Sequence, residues 1–172
     1  MARRRPVREG PIEVVARGRG AAAESARCRR LLRDLRRAVR READGVELLL
    51  TGDAEQRALN RRLRGRDRTT DVLSFPAGSD LEPGRPHLGE IAISLPQAAR
   101  QARAAGWPQR SEMALLLTHG FLHLLGYDHE TDDGTMRRLE VRLLSRAGRV
   151  SLKRRRRPWG EAPGGAAGGS TP

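Results

Sequence analysis

The 172-residue chain has one cysteine, few aromatic side chains and no long apolar run. Cys28 has no second cysteine to pair with, which excludes an intramolecular disulfide and favours a reducing compartment. No stretch approaches the roughly 18 consecutive apolar residues of a membrane helix. No apolar segment follows the arginine-rich start, as one would in a secretory signal. These absences predict a cytoplasmic protein with no membrane partner.

Acidic residues are also in the minority. The chain has 34 Lys and Arg against 21 Asp and Glu, which gives a formal net charge of +13. Residues 1–10 carry +3 and residues 151–172 carry +4, so the segment between them is basic in its own right. This distribution favours a polyanion such as RNA as partner. Arginine-rich composition also arises from GC-rich coding sequence, so charge alone leaves both explanations open.

Length and composition predict one domain with a tail at each end. The domain is expected over residues 11–150. Residues 1–10 are basic, and residues 151–172 are basic and then rich in Gly, Ala and Pro. Such segments bury too little apolar surface to fold, so both tails are expected to be disordered.

Three of the four histidines lie within residues 119–129. His119 and His123 are four residues apart, which places them on one face of a helix. Gly126 is expected to end that helix, because glycine readily adopts the left-handed conformation, and the chain can then turn back to bring in His129. Three neutral imidazoles with an open fourth position are typical of a catalytic zinc site. The spacing therefore predicts one Zn²⁺ per chain, held by these three histidines.

Two other interpretations use the same ligands. The spacing matches the protease pattern H-E-x-x-H-x-x-G-x-x-H, but Gly120 stands where a metalloprotease has its glutamate base. A structural zinc site would normally have a fourth protein ligand, often cysteine, and Cys28 is distant in sequence. A zinc hydrolase with another substrate is favoured. The alternatives at this point are a metalloprotease and a zinc-binding protein without cleavage activity.

The histidine segment, H-G-x-L-H-L-x-G-Y-D-H, resembles the signature of the YbeY family of bacterial endoribonucleases. A second block over residues 59–76 is similar to the family's L-N-x-x-Y-R-x-x-D-x-x-T-D-V-L-S-F-P, with Leu63 in place of tyrosine and expected to serve packing. Residues 88–93 resemble L-G-D-I-x-I, with Glu90 in place of aspartate. Together the matches span roughly residues 12–144.

The resemblance implies a single-strand-specific, zinc-dependent endoribonuclease. Its expected role is the processing of ribosomal RNA, especially the 3′ end of 16S rRNA, and ribosome maturation and quality control. The alternative is a zinc-binding ribosome-assembly factor without its own cleavage activity. The implied partners are ribosomal RNA and the small ribosomal subunit with its assembly factors, and a monomer is favoured. Arg64 matches the family's arginine near the metal, and a guanidinium suits a bidentate grip on phosphate. Asp128 is a further candidate, either as acid or base or as a residue that orients a histidine.

Hydrophobic periodicity predicts an α+β fold with a single domain. Strands are expected near residues 12–17, 46–52, 71–75 and 89–94. About five helices are expected, the second opened by a capping box of Asp53 and Gln56, the fourth capped by Ser111 and the last ended by Gly148. No helix separates the third and fourth strands, so this pair should be antiparallel. The prediction is a mixed four-stranded sheet packed with helices and a metal site in a cleft, the fold that the resemblance also implies.

Overall fold

The sheet and its helices follow the predicted order along the chain. The structure is a computed structural model that describes residues 10–17, 21–42, 44–78, 87–129 and 131–146. The elements are β1 (Ile12–Ala16), α1 (Ala21–Ala38), β2 (Gly45–Thr51), α2 (Asp53–Arg64), β3 (Val72–Pro76), β4 (His87–Ser94), α3 (Leu95–Ala104), α4 (Gln109–Leu124) and α5 (Thr135–Arg146). The predicted tails, apart from Gly10, and the predicted helix end at Gly148 lie outside the described residues.

The four strands form one mixed sheet in the order β1-β2-β4-β3. β1 and β2 run parallel, as do β2 and β4. The connection from β1 to β2 contains α1, and the connection from β2 to β4 contains α2 and β3, so each is long enough for a crossover. β3 pairs with β4 in antiparallel register, with Ser74 opposite Ile91. The predicted α+β fold and its antiparallel pair are confirmed.

Helix α4 lies at the centre of the fold. It contacts β3, β4, α1, α3 and α5, and every residue from Glu112 to Leu122 is buried. A helix that is apolar on all sides is stable only when it is surrounded, and the run of leucines here meets that condition. The predicted metal ligands His119 and His123 therefore lie on a helix that packs against five other described elements.

The predicted capping box at the start of α2 is wrong. The N-cap residue is Gly52, and it makes no side-chain capping bond. Gln56 instead points into the core, where its Nε2 donates to the carbonyl of Ala92 at 3.1 Å and its Oε1 accepts from Thr51 Oγ1 at 3.0 Å. Because Gln56 is fully buried, its amide is used to satisfy interior polar groups and not the helix end.

The start of α4 lies earlier than the predicted cap at Ser111. The helix begins at Gln109, and Pro108 is the N-cap, so Ser111 lies inside the first turn. The extended backbone of Pro108 sets the direction of the chain into the helix.

None of the helices in the described part of the chain combines the length and apolar composition that a bilayer crossing requires.

Candidate metal centre

The last turn of α4 presents two imidazoles to each other. His119 Nε2 and His123 Nε2 are 3.1 Å apart, and the ring centroids are separated by 4.7 Å. The four-residue spacing produces this arrangement, since residues i and i+4 lie above one another on a helix. His119 is buried and His123 is partly buried, so the pair lies where the buried helix α4 approaches the surface.

A glycine turn ends α4 and brings in the third histidine. Gly126 has a φ of +86°, the Tyr127 N–H donates to the Leu122 carbonyl at 3.1 Å, and the Gly126 N–H donates to the His123 carbonyl at 3.0 Å. These two bonds form a Schellman motif, which reverses the chain direction. As a result, the His129 ring lies 5.1 Å from the His119 ring and 5.4 Å from the His123 ring, centroid to centroid. The predicted helix end at Gly126 is confirmed.

The three histidines form a group that could hold a metal ion. One ring nitrogen from each lies within 4.8 Å of the other two. Donors about 2.0–2.1 Å from a tetrahedral zinc ion would be roughly 3.3 Å apart, close to the spacing of the first pair. In the described part of the chain no carboxylate or thiol belongs to this group. His129 Nδ1 is buried and has no hydrogen-bond partner among the described residues, and such an orphaned nitrogen suits a metal ligand.

The protonation state of His123 favours metal binding. Burial of the ring, together with the neighbouring His119 and His129, lowers the pKa of His123 to about 4. The ring is therefore neutral near pH 7, and its lone pair is available to a cation. A metal ligand must be deprotonated, so this environment removes the competition from protons.

A buried carboxyl group lies next to the first histidine, on the side of the ring away from His123. His119 Nδ1 lies 3.3 Å from Glu140 Oε1 on α5, while its Nε2 faces His123. Glu140 is absent from the site residues predicted from the sequence. A signal was available, because Glu140 falls among the buried positions Met136, Leu143 and Leu144 of an amphipathic helix.

Comparison with known proteins identifies the family. The family model described as "Endoribonuclease YbeY" matches residues 21–148, most of the chain. This chain belongs to the YbeY family. A Thermus thermophilus protein named Endoribonuclease YbeY is 42% identical over 140 residues, which cover 78% of this chain and 99% of that protein. A relative of the same name from Solibacter usitatus is 49% identical over 115 residues, 66% of this chain and 74% of its own.

A solved structure shares the fold of this YbeY-family chain. The solution structure of TM1509 from Thermotoga maritima is 25% identical in sequence and superposes with a TM-score of 0.55. The superposition covers 85% of this chain and all of the other. The resemblance stated from the sequence motifs is thus confirmed at the level of family and fold.

Arg64 ends α2 beside the strand next to the metal helix. Its side chain is exposed, and its Nη2 donates to the carbonyl of Ser74 on β3 at 3.3 Å. The Ser74 hydroxyl in turn packs against α4 at Gly120, the neighbour of His119.

Leu63, by contrast, is 48% exposed, so the packing role expected for it is wrong. The turn between α4 and His129 contains Asp128, which is exposed and whose charge opposes the lowering of the His123 pKa.

Close packing of α4 on the sheet explains why this YbeY-family chain has glycine at position 120, where the protease pattern has glutamate. A Cβ at Gly120 would lie 2.9 Å from Ser74 Oγ, 3.0 Å from Ile91 Cγ2 and 3.3 Å from Val72 Cγ2. The helix packs too closely on the sheet for a side chain here. A glutamate base at this position is therefore excluded by packing, which argues against the metalloprotease interpretation.

Proposed function

We propose that this YbeY-family protein is a zinc-dependent endoribonuclease that cleaves single-stranded RNA. The observation that carries the proposal is the convergence of three histidine nitrogens within 4.8 Å at the end of a buried helix. The chain also belongs to a family whose curated relatives are named endoribonuclease, and this supports RNA as the substrate of the site.

The residues around the site have distinct roles in the proposed reaction. His119, His123 and His129 would hold one Zn²⁺ through their ring nitrogens. A zinc ion bound there would supply an acidified water and a positive charge for the hydrolysis of a phosphodiester. The Arg64 guanidinium binds a phosphate oxygen and stabilises the negative charge that develops on it. Asp128 either moves a proton at the site or orients a histidine.

The charge of the whole chain supports an RNA substrate. A net charge of +13 provides affinity for the phosphate backbone that does not depend on base sequence. Aromatic residues are only 3% of the chain, so base stacking contributes little to recognition. Specificity then comes from RNA shape or from a ribosomal partner.

We further propose a place for this activity in the cell. Family membership supports the processing of ribosomal RNA, particularly the 3′ end of 16S rRNA, within ribosome maturation and quality control. The protein acts in the cytoplasm as a monomer on ribosomal RNA, together with the small ribosomal subunit and its assembly factors. Its single cysteine suits a reducing compartment.

Metal analysis and RNA cleavage test the proposal together. The purified protein should contain one zinc per chain, cut single-stranded RNA, lose that activity on chelation and regain it with added Zn²⁺. His123→Ala should keep the fold and RNA binding but lose zinc and cleavage. His87→Ala is the matched control, because His87 lies on β4, 4.0 Å from Glu47 and outside the histidine group.

Two results would overturn the proposal. Unchanged cleavage by His123→Ala would rule out a catalytic metal at this site. RNA binding without cleavage by the zinc-loaded wild type, alone and with small subunits, would favour an assembly factor that binds zinc but does not cut RNA.

A further inference from the structure

Glu140 is an unusual residue for its position. It lies on the face of α5 that packs into the core, next to Met136, Leu143 and Leu144 in the buried stripe, and it is only 3% exposed. Burial of a carboxylate is unfavourable unless a partner compensates for the lost hydration. An apolar residue would complete this stripe at lower cost, so the presence of a glutamate calls for a functional explanation.

The neighbour of Glu140 is a candidate metal ligand. Glu140 Oε1 lies 3.3 Å from His119 Nδ1, and no lysine or arginine in the described ranges forms an ion pair with this carboxylate. The distance is within hydrogen-bond range, and the buried Oε1 has no hydrogen-bond partner among the described residues. The other nitrogen of the same ring, Nε2, faces His123 at 3.1 Å. The imidazole of His119 therefore lies between the buried carboxyl group of Glu140 and the centre of the histidine group.

We propose that Glu140 is a positioning residue for the metal site, an inference that rests on the proposed function. Its carboxylate accepts the Nδ1–H of His119 when the metal is bound, which selects the tautomer with a free lone pair on Nε2. The same contact fixes the ring plane, so that Nε2 points at the position shared with His123 and His129. The negative charge also offsets part of the charge of a bound cation, which raises the affinity of the site.

The arrangement has a consequence that a purely structural residue would not produce. With the metal bound, the buried carboxylate faces a cationic centre. With the metal absent, it faces the imidazole alone. Removal of the charge should therefore weaken metal binding while it leaves the metal-free protein as stable as before or more stable. A residue that merely fills space would change metal-free stability first and affinity little.

Glu140→Gln tests the proposal, since it keeps the shape of the side chain and removes the charge. Competition against a chromophoric chelator should show Zn²⁺ affinity reduced by about 10–100-fold, the range typical of groups that support metal ligands. Glu112→Gln is the matched control: Glu112 is 4% exposed on α4 and accepts from Trp107 Nε1 at 2.8 Å. Its substitution should leave zinc affinity unchanged.

A spectroscopic measurement separates positioning from packing. In zinc-loaded protein with ¹⁵N-labelled histidine, long-range ¹H–¹⁵N spectra should show His119 protonated at Nδ1. In Glu140→Gln this signature should weaken or shift. If Glu140→Gln does not fold, Glu140→Leu, which suits the apolar stripe, should show the same loss of affinity. Wild-type affinity and an unchanged His119 tautomer in a folded variant would overturn the role of Glu140.

The two proposals fail in different ways. A wild type that binds zinc tightly but cleaves no RNA would overturn the proposed function and leave the role of Glu140 intact. A Glu140 variant with wild-type zinc affinity in an active enzyme would do the reverse.

Discussion

Among single residues, Arg64 offers the most direct test of the proposed chemistry. Its guanidinium is exposed and keeps donors beyond the one bonded to Ser74. Arg64→Ala should lower kcat/KM for RNA by about 10–100-fold, the loss expected when a charge-assisted contact of roughly 1.5–3 kcal/mol is removed. Zinc affinity should not change, because Arg64 does not belong to the histidine group.

A neighbouring arginine provides the control for Arg64. Arg62 is also exposed on α2 and carries the same charge, two residues away. Arg62→Ala should reduce RNA affinity slightly and leave the chemical step unchanged. Equal losses in the two variants would mean that Arg64 contributes only general charge.

Cys28 predicts a dependence of stability on pH. Burial, with a further contribution from Glu24, raises the pKa of this thiol from 9.0 to about 12. The folded state holds the proton more tightly than the unfolded state, so this stabilisation is fully present below pH 9 and is lost as the pH rises towards 12. Between about pH 8 and pH 10, the free energy of unfolding should fall by about 1.4 kcal/mol more in the wild type than in Cys28→Ala. Urea denaturation of both proteins at both pH values measures the difference, and parallel pH profiles would contradict it.

The residues of the candidate site differ in how far the sequence could predict them. The three histidines were predictable because their spacing is local: one helical turn and one glycine turn bring them together. Glu140 was not predicted, because its contact with His119 depends on how α5 packs against α4. A polar residue inside an apolar stripe was the only local sign of it.

At the scale of elements, the turn after α4 couples fold stability to the site. Gly126 has a φ of +86°, and a Cβ there would meet nothing within 4 Å, so Gly126→Ala tests backbone conformation alone. The variant should lose about 1–2 kcal/mol of stability, the cost of a left-handed conformation for a residue with a side chain. It should also bind zinc more weakly, because the same turn positions His129. Thermal denaturation and zinc competition measure the two effects.

Gly106 provides the matched comparison for this element. It follows α3 with a φ of +65°, and a Cβ there would likewise be uncrowded. Gly106→Ala should cost a similar amount of stability with no change in zinc affinity. Equal zinc affinity in the two variants would show that the turn at Gly126 does not determine the position of His129.

Helix ends were harder to predict than the helices themselves. The pattern Asp53 with Gln56 fits a capping box, yet the glutamine is needed in the core to bond the Ala92 carbonyl. Local sequence cannot show that requirement, because it arises from the packing of α2 on β4. The glycine ends at Gly65 and Gly126 were predictable, since a left-handed residue has few alternatives to glycine.

At the scale of the whole molecule, the alternation of strands and helices was enough to predict the fold class but not the strand order. The pairing of β2 with β4 spans α2 and β3, and such non-local contacts leave no periodic signal. The residues of the strands themselves gave part of the information about which strands are central and which lie at the edge. β2 and β4 contain the apolar runs Leu48–Leu50 and Ile91–Ile93 and are buried along most of their length, as expected of central strands. Val15 on the edge strand β1, by contrast, is 50% exposed.

The net charge of +13 makes the last prediction a property of the whole chain. If RNA binds through about five phosphates, an increase from about 50 to 200 mM KCl should weaken binding on the order of 100-fold, because each contact releases condensed counterions. Zinc affinity should change little over the same range, because the proposed ligands are imidazole nitrogens and not carboxylates. Fluorescence anisotropy with a labelled single-stranded RNA, alongside zinc competition, measures both. A flat salt profile would mean that base contacts, and not the basic surface, provide the affinity, although aromatic residues make up only 3% of the chain.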